Sequence, residues 1–200
     1  MKPIFIENFF PDEILKVAYT YSILKYSNKT IFDDPDRQSS SIIGKNSDYL
    51  MEALLDMSTR VVESNVGKKL WPTYSFFRIY DRGSDLPIHV DKPSCEYTVA
   101  LCLGCDPIDK PYEIFIGEGD ENSNYKYFDK DRNLIPLKID ESFPMKPNNA
   151  LVFKGMEKLH WREYCQHDHY ITVFLHYVDQ EGDYKDYKFD KRECLGAKKG

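Results

Sequence analysis

Three residues of this sequence carry side chains that could bind a single transition-metal ion. His89 and Asp91 lie two positions apart in the run LPIHVD at residues 86–91, and His160 follows far downstream. Two imidazoles and one carboxylate are the ligand set that binds Fe(II) on one face and leaves the remaining positions open. Residues i and i+2 of a strand point to the same side, so His89 and Asp91 could bind one ion together. His160 would then have to come from another strand.

Each of these features also has a simpler interpretation. An isolated H-x-D sequence is a weak signal, because His89 and Asp91 could be an ordinary hydrogen-bonded pair at the end of a strand. The triplet at residues 167–169, His-Asp-His, resembles a metal-binding motif, but it falls in a predicted turn, where a solvated polar cluster is favoured. Cys102 and Cys105 have a spacing typical of zinc ligands. No second cysteine pair follows them, which favours structural thiols.

The residues before the H-x-D sequence strengthen the iron hypothesis. They form the pattern Y-x-x-G-x-x-L-x-x-H-x-D, made by Tyr80, Gly83, Leu86, His89 and Asp91. This pattern resembles the iron-binding segment of the prolyl 4-hydroxylase-like 2-oxoglutarate oxygenases. Downstream, residues 147–153, Gly155 and the run from His160 to Arg162 resemble the strand, turn and distal-histidine strand of that superfamily. Residues 3–13 are similar to its first strand and helix, so the resemblance extends from about Ile4 to Val178.

The resemblance implies a fold and a chemistry. The fold would be a mainly β protein with N-terminal helices (α+β), built on a double-stranded β-helix of the jelly-roll or cupin-like type. His89, Asp91 and His160 would bind Fe(II), with 2-oxoglutarate as cosubstrate and O2 as oxidant, and no catalytic residue would be needed beyond the metal centre. Such an enzyme hydroxylates an unactivated C–H bond and releases succinate and CO2. A carboxylate at position 91 favours hydroxylation, because the related halogenases lack it.

The distal carboxylate of 2-oxoglutarate needs a cation, and here the sequence departs from the family. These enzymes usually place Lys or Arg about ten residues after the distal histidine, where this chain has residues 169–171, His-Tyr-Ile. Arg162 is the predicted replacement, because it lies two residues after His160 on the same strand face and its fork suits a carboxylate. A solvated ion pair is the simpler alternative for Arg162.

Other residues stay open for the cosubstrate. His176 and Thr172 are secondary candidates on the last predicted strand, whose Ile171, Val173, Leu175 and Tyr177 would pack against the helices and so turn Thr172 and His176 inward. Arg78 shares a face with Tyr80 and could serve instead. Tyr80 itself could contact the cosubstrate or pack in the core, and His176 could be a buried histidine without a ligand.

The surrounding elements are predicted from periodicity. A helix begins at Pro11, with Ile14, Ala18 and Tyr21 on one face, and a second begins near Ser47 and Asp48 and stops at Gly67. Its apolar stripe is predicted to contain Leu50, Leu54, Met57 and Val61. The polar segment 27–45 between the helices is predicted to be a loop and is hypothesised to cover bound substrate. Eight strands follow, at 73–80, 86–90, 97–103, 112–117, 134–139, 150–153, 158–164 and 169–178.

Length and composition indicate one oxygenase domain over residues 1–200, with mainly helical support at 1–70, a β core at 71–178 and a polar tail at 179–200. The net charge of −6 disfavours nucleic-acid binding, no stretch suits a membrane span, and five cysteines without a secretory start favour the cytoplasm. The expected partner is a small-molecule or peptidyl substrate, whose identity stays open, as does the oligomeric state. A cupin-type metalloenzyme that does not use 2-oxoglutarate and a non-catalytic jelly-roll binding module are the alternative functions.

Overall fold

The computed structural model describes residues 1–28, 34–35, 43–119, 125–128 and 134–197. Two α-helices lie in the N-terminal third of the chain, α1 at Asp12–Ser27 and α2 at Tyr49–Val66. The strands are β1 Ile4–Ile6, β2 Asp34–Pro35, β3 Ile43–Asn46, β4 Leu70–Tyr80, β5 Leu86–His89, β6 Tyr97–Asp106, β7 Tyr112–Gly119, β8 Tyr125–Phe128, β9 Leu134–Met145, β10 Ala150–Phe153, β11 Leu159–Arg162 and β12 His169–Asp179. Short 3₁₀ segments cover Pro93–Cys95 and Lys185–Lys191.

The strands form two antiparallel sheets. The larger has seven strands in the order β1-β10-β6-β12-β4-β3-β2, and the smaller has five in the order β5-β11-β7-β9-β8. The prediction of a mainly β fold is therefore confirmed, and the structure adds that the sheets are antiparallel. Each of the eight predicted strands has a counterpart, and β1, β2, β3 and β8 are additional. No helix in the described part of the chain is long and apolar enough to cross a membrane.

Two apolar layers lie on opposite faces of the larger sheet. On β12, Ile171, Val173, Leu175 and Tyr177 are buried in the layer that also contains helix residues such as Ala18 and Leu54. Tyr170 and Phe174 alternate with them and face the second layer, together with residues of the smaller sheet such as Ile114. The predicted alternation along the last strand is confirmed. Thr172 and His176 consequently share the face that looks toward the smaller sheet.

Both helices begin and end close to the predicted positions. The Asp48 side chain caps α2 by accepting from the N–H groups of Leu50 at 3.1 Å and Met51 at 3.5 Å, and Gly67 ends the helix with φ of 69°. Pro11 precedes α1 instead of occupying its first position.

The buried stripe of α2 differs from the prediction. Met57 and Val61 are 52% and 40% exposed, so including them was wrong, whereas Met51, Leu55, Ser58 and Val62 are buried beside the predicted Leu54. The buried face of α2 is therefore rotated from the predicted one and includes a serine. The first 70 residues also contribute strands to the larger sheet and are not helical alone. Residues 29–33 and 36–42, most of the predicted loop, lie outside the described residues.

The tail is packed against the fold by one buried ion pair. Arg192 Nη2 lies 2.9 Å from Glu52 Oε2 of α2 and donates to the Thr73 carbonyl of β4 at 2.9 Å. The two side chains are 1% and 3% exposed. Glu52 also accepts from the Ser75 N–H at 2.9 Å. The sequence predicted only a polar tail at 179–200, and the buried Arg192 was missed.

Candidate metal centre

Two of the three predicted metal-binding residues lie directly opposite each other on neighbouring strands. β5 and β11 pair in antiparallel orientation with His160 in register with His89, and the two imidazole centroids are 4.2 Å apart. Five strands, β6 to β10, separate β5 from β11 along the described chain. The His160 ring contacts Phe153 of the layer between the sheets at 4.8 Å. Strand pairing therefore brings together two histidines that are distant in sequence.

A bulge in β5 sets the direction of His89. Arg162 is in register with Leu86 while His160 is in register with His89, so three steps on β5 face two on β11. Pro87 lies inside this bulge and has no N–H to donate, and edge strands and bulges such as this one are where sheets accept proline. The extra residue shifts the alternation of side chains. Leu86 is consequently buried between the sheets, and His89 still reaches the same site as His160.

Asp91 is held by contacts other than a strand ladder. It lies beyond the end of β5, which corrects the prediction that His89 and Asp91 share a strand face. The Asp91 N–H donates to the Gly155 carbonyl at 2.9 Å. Its Oδ1 is 3.6 Å from Nε2 of His89 and 3.6 Å from Nε2 of His160. One carboxylate oxygen thus lies beside both imidazoles.

Backbone carbonyls orient both imidazoles. Nδ1 of His89 is 2.7 Å from the Pro87 carbonyl, and Nδ1 of His160 is 3.0 Å from the Lys158 carbonyl. A carbonyl oxygen only accepts, so each Nδ1 carries the proton of the neutral ring and each Nε2 presents a lone pair. This is the arrangement in which metal-binding histidines are normally held.

Electrostatics favour the protonation states that a metal requires. Burial, followed by the neighbouring His160, lowers the pKa of His89 below its ordinary value. Although burial opposes a charged Asp91, the nearby His160 and His89 hold the pKa of that carboxyl well below its usual range. The three ligand atoms lie within 4.8 Å of one another. Two imidazoles and one carboxylate at this separation are a ligand set suited to Fe(II).

A second group of possible ligand atoms shares Asp91. Cys95 and His176 have ligand atoms within 4.8 Å of it. Burial raises the pKa of the Cys95 thiol, whose sulfur lies 3.2 Å from the Tyr74 hydroxyl, so it is a protonated thiol and a poor ligand. Burial lowers the pKa of His176 to about 4. His176 is therefore neutral, and it lies beside Asp91.

Arg162 lies on the strand that carries His160 and is completely buried. Its Nη1 donates to the carbonyls of Tyr112 at 2.7 Å and Glu113 at 3.2 Å. The guanidinium carbon is 4.8 Å from the Tyr112 ring centroid and 5.0 Å from that of Tyr170. Within the described part of the chain, Nε and Nη2 have no hydrogen-bond partner. The simpler alternative, a solvated ion pair, is wrong, because a buried cation with two unused donors is suited to an anion.

The other candidate cosubstrate residues lie in two places, one near Arg162 and the other near Asp91. Tyr80 lies near Arg162, with 5.9 Å between ring centroid and guanidinium, and its hydroxyl accepts from Arg78 Nη1 at 3.1 Å. Arg78 is in register with Thr172, whose hydroxyl donates to the Leu101 carbonyl at 2.9 Å. Arg162, Tyr80 and Arg78 are thus brought together. His176 is not among them.

Sequence reasoning missed the side chain that holds the second oxygen of Asp91. The Thr98 hydroxyl lies 2.8 Å from Asp91 Oδ2. A threonine on a strand does not indicate in the sequence that its hydroxyl contacts a metal ligand. Gly155 does indicate close packing at this point, because a side chain there would collide with Asp91 Oδ2 and the Thr98 hydroxyl. The glycine between the predicted strands 150–153 and 158–164 therefore marks a close approach.

The interpretation of residues 167–169 as a solvated polar cluster is wrong for His167, which is only 1% exposed. His167 Nε2 is 2.8 Å from the Lys110 carbonyl, and His169 Nε2 is 2.9 Å from the Tyr19 hydroxyl. The two imidazoles thus have separate partners and do not form one site. Cys102 and Cys105 are buried, free thiols.

Similarity to proteins of known structure lies in the fold. No protein-family model matches the sequence, and no curated protein sequence matches it significantly. A prolyl-4-hydroxylase from Pseudomonas putida superposes with a TM-score of 0.58 and 12% identity over 88% of this chain and 92% of that chain. The non-heme alpha-ketoglutarate-dependent epimerase SnoN from nogalamycin biosynthesis gives 0.63, with 9% identity over 88% and 78%. This chain has their fold.

A third solved structure extends the comparison to an enzyme with its peptide. The prolyl hydroxylase from Trichoplax adhaerens, in complex with a peptide fragment of the hypoxia inducible factor oxygen degradation domain, gives a TM-score of 0.58. Its identity to this chain is 14%, over 90% of this chain and 84% of that chain. These neighbours share architecture at identities that carry no residue-level information.

Proposed function

We propose that this protein is an Fe(II)- and 2-oxoglutarate-dependent dioxygenase that hydroxylates an unactivated C–H bond of a peptidyl side chain or a small metabolite. The observation that carries the proposal is the cluster of His89, Asp91 and His160, in which two Nε2 atoms and one carboxylate oxygen lie close together. The finer fold class is proposed to be a double-stranded β-helix of the jelly-roll type. In it, the N-terminal helices support the larger sheet of a single domain.

His89, Asp91 and His160 would hold Fe(II). When bound, iron together with 2-oxoglutarate and O2 supplies the oxidation, with release of succinate and CO2. The chain contributes position: the Pro87 and Lys158 carbonyls fix both imidazole rings, and the strand pair fixes their separation. It also contributes enclosure, since the His160 side chain is only 2% exposed. Exclusion of water protects a reactive site from side reactions.

Arg162 would bind the distal carboxylate of 2-oxoglutarate. Two residues along a strand span about 7 Å, which is close to the length of this five-carbon acid. Nε–H and one Nη2–H lie on the same edge of a guanidinium, and that edge can donate two parallel hydrogen bonds to a carboxylate. These are the two nitrogens without a hydrogen-bond partner in the described residues. Tyr80 would form part of the wall of this pocket. His176 would not anchor the cosubstrate, because it is neutral and lies beside Asp91.

The test is succinate formation by purified protein supplied anaerobically with Fe(II), then with 2-oxoglutarate and O2. A panel of peptides and small metabolites is screened for stimulation of the rate. We expect a low rate with Fe(II) and 2-oxoglutarate alone, stimulation by the true substrate, and no turnover in His89→Ala or His160→Ala. Full succinate formation by folded His160→Ala would overturn the proposal. Tight metal binding without any 2-oxoglutarate turnover would instead indicate a cupin-type enzyme.

A further inference from the structure

Asp91 is the first member of a buried chain of hydrogen-bonding side chains that leads away from the two metal-facing histidines. Thr98 of β6 has its Oγ1 2.8 Å from Asp91 Oδ2 and 3.1 Å from Nδ1 of His176 on β12. Thr98 and His176 are register partners on neighbouring strands. Thr98 is completely buried and His176 is 4% exposed. Thr98 and His176, which continue the hydrogen-bonded series from Asp91, are therefore both part of the larger sheet.

The direction of each hydrogen bond follows from donor counting. A carboxylate that binds a metal is deprotonated and only accepts. The single hydroxyl proton of Thr98 is therefore donated to Asp91 Oδ2. Thr98 Oγ1 can then only accept from His176, so the proton of the neutral His176 ring lies on Nδ1. The Thr98 hydroxyl thus donates to Asp91, and His176 Nδ1 donates to Thr98.

We propose that Thr98 and His176 are positioning residues that restrict Asp91 to one metal-facing oxygen. Oδ2 is occupied by the Thr98 hydroxyl, and Oδ1 is the oxygen that lies 3.6 Å from both histidine Nε2 atoms. Thr98 and His176 hold the Asp91 carboxylate in one orientation. Asp91 would then bind the ion through Oδ1 alone and leave other positions on the ion free. This inference rests on the proposed function, because it assumes that the cluster binds a metal.

The absence of a side chain at Gly155 also contributes to the positioning of Asp91. A Cβ at this position would collide with both Asp91 Oδ2 and Thr98 Oγ1 and would crowd the Cys95 carbonyl. Gly155 also accepts the Asp91 N–H. The close packing leaves Oδ2 with Thr98 as its partner and excludes a competing side chain.

The experiment is a titration of the full-length, metal-free chain with Co(II) under anaerobic conditions. Affinity is measured by competition with a chromophoric chelator, and the visible spectrum of the bound ion is recorded. Thr98→Val removes the hydroxyl at nearly constant volume, and Thr98→Ser restores it. Thr73→Val is the matched control, because Thr73 is also buried and its hydroxyl donates to a backbone carbonyl, that of Ser94, at 2.7 Å.

We expect Thr98→Val to weaken Co(II) binding about 10- to 100-fold, as is typical when a partner of a metal ligand is lost, and to change the spectrum. Thr98→Ser and Thr73→Val should bind within about threefold of the wild-type chain, well below that effect. Equal affinities of wild type and folded Thr98→Val would refute the inference and leave the proposed function standing. Equal losses in Thr98→Val and Thr98→Ser would also refute it, because packing and not the hydroxyl would be responsible. Failure of the wild-type chain to bind Co(II) would overturn both.

A second pair of variants applies if Thr98→Val does not fold. His176→Asn keeps an N–H close to the position of Nδ1, whereas His176→Leu has none. We expect His176→Asn to bind Co(II) more tightly than His176→Leu by about tenfold, the lower end of the range for such partners. Equal binding by these two variants would refute the role of His176 as the donor to Thr98.

Discussion

Replacement of Arg162 by Leu should remove the recognition of the distal carboxylate of 2-oxoglutarate. The unused Nε and Nη2 donors can make two charge-assisted hydrogen bonds on one edge of the guanidinium. Such an interaction contributes about 1.5–3 kcal/mol. Since about 1.4 kcal/mol corresponds to a factor of ten, the dissociation constant for 2-oxoglutarate should rise by roughly 10- to 100-fold. The metal affinity should change little.

The assay compares two ligands so that damage to the fold cannot imitate the effect. Binding of 2-oxoglutarate and of 2-oxopentanoate, which has the same chain length without the distal carboxylate, is measured by calorimetry on Mn(II)-loaded protein. Wild-type protein should prefer 2-oxoglutarate by about the same 10- to 100-fold, and Arg162→Leu should lose the preference. Arg162→Leu also loses the contacts of Nη1 with the Tyr112 and Glu113 carbonyls, but this loss affects the binding of both ligands alike.

The competing assignment is Arg78, a buried arginine of β4 whose Nη1 donates to the Tyr80 hydroxyl. Arg78→Leu is therefore measured in parallel. If Arg162→Leu still prefers 2-oxoglutarate as strongly as wild type does, the reasoning on Arg162 is refuted. If Arg78→Leu loses the preference instead, the anchor is Arg78 on β4.

Three further predictions concern the metal, the tail and pH. Asp91→Ala should abolish Fe(II)-dependent succinate formation with little change in the denaturant midpoint, and normal turnover would contradict its role. Arg192→Ala should lower the free energy of unfolding by about 3–5 kcal/mol, because it leaves Glu52 buried without a cation. Arg82→Ala, which removes an exposed ion pair, should lower it by only about 0–1 kcal/mol. Similar losses in the two variants would contradict this prediction. Burial lowers the pKa of His167, so the unfolded chain binds more protons and stability should fall as pH drops below about 6.5, the model-peptide value. His167→Gln should show a smaller fall in denaturant titrations at several pH values, and an unchanged pH dependence would argue against this assignment.

Local patterns in the sequence predicted much of the fold. The alternation of apolar residues along β12 is a property of a strand with two different faces, and it correctly placed Ile171 and Val173 toward the helices. The cap at Asp48 and the stop at Gly67 depend on neighbouring backbone groups and were also predicted. The buried face of α2 was less predictable, because Met57 and Ser58 exchange the places that their hydrophobicity suggests.

Non-local features of the site could not be read from the sequence. The pairing of His89 with His160 depends on which strands become neighbours, and the bulge at Pro87 depends on that pairing. Thr98 reaches Asp91 from β6 of the larger sheet, and no spacing in the sequence indicates such a contact. The same holds for Arg192, whose burial follows from the path of the tail across α2 and β4.

The central claim is that His89, Asp91 and His160 bind one metal ion. Anomalous diffraction from crystals grown with Mn(II), a redox-stable substitute for Fe(II), tests it most directly. We predict a single strong peak within bonding distance of Nε2 of His89, Nε2 of His160 and Oδ1 of Asp91. A peak bound instead by Cys95 and His176, or no peak near the three residues at saturating Mn(II), would contradict the account.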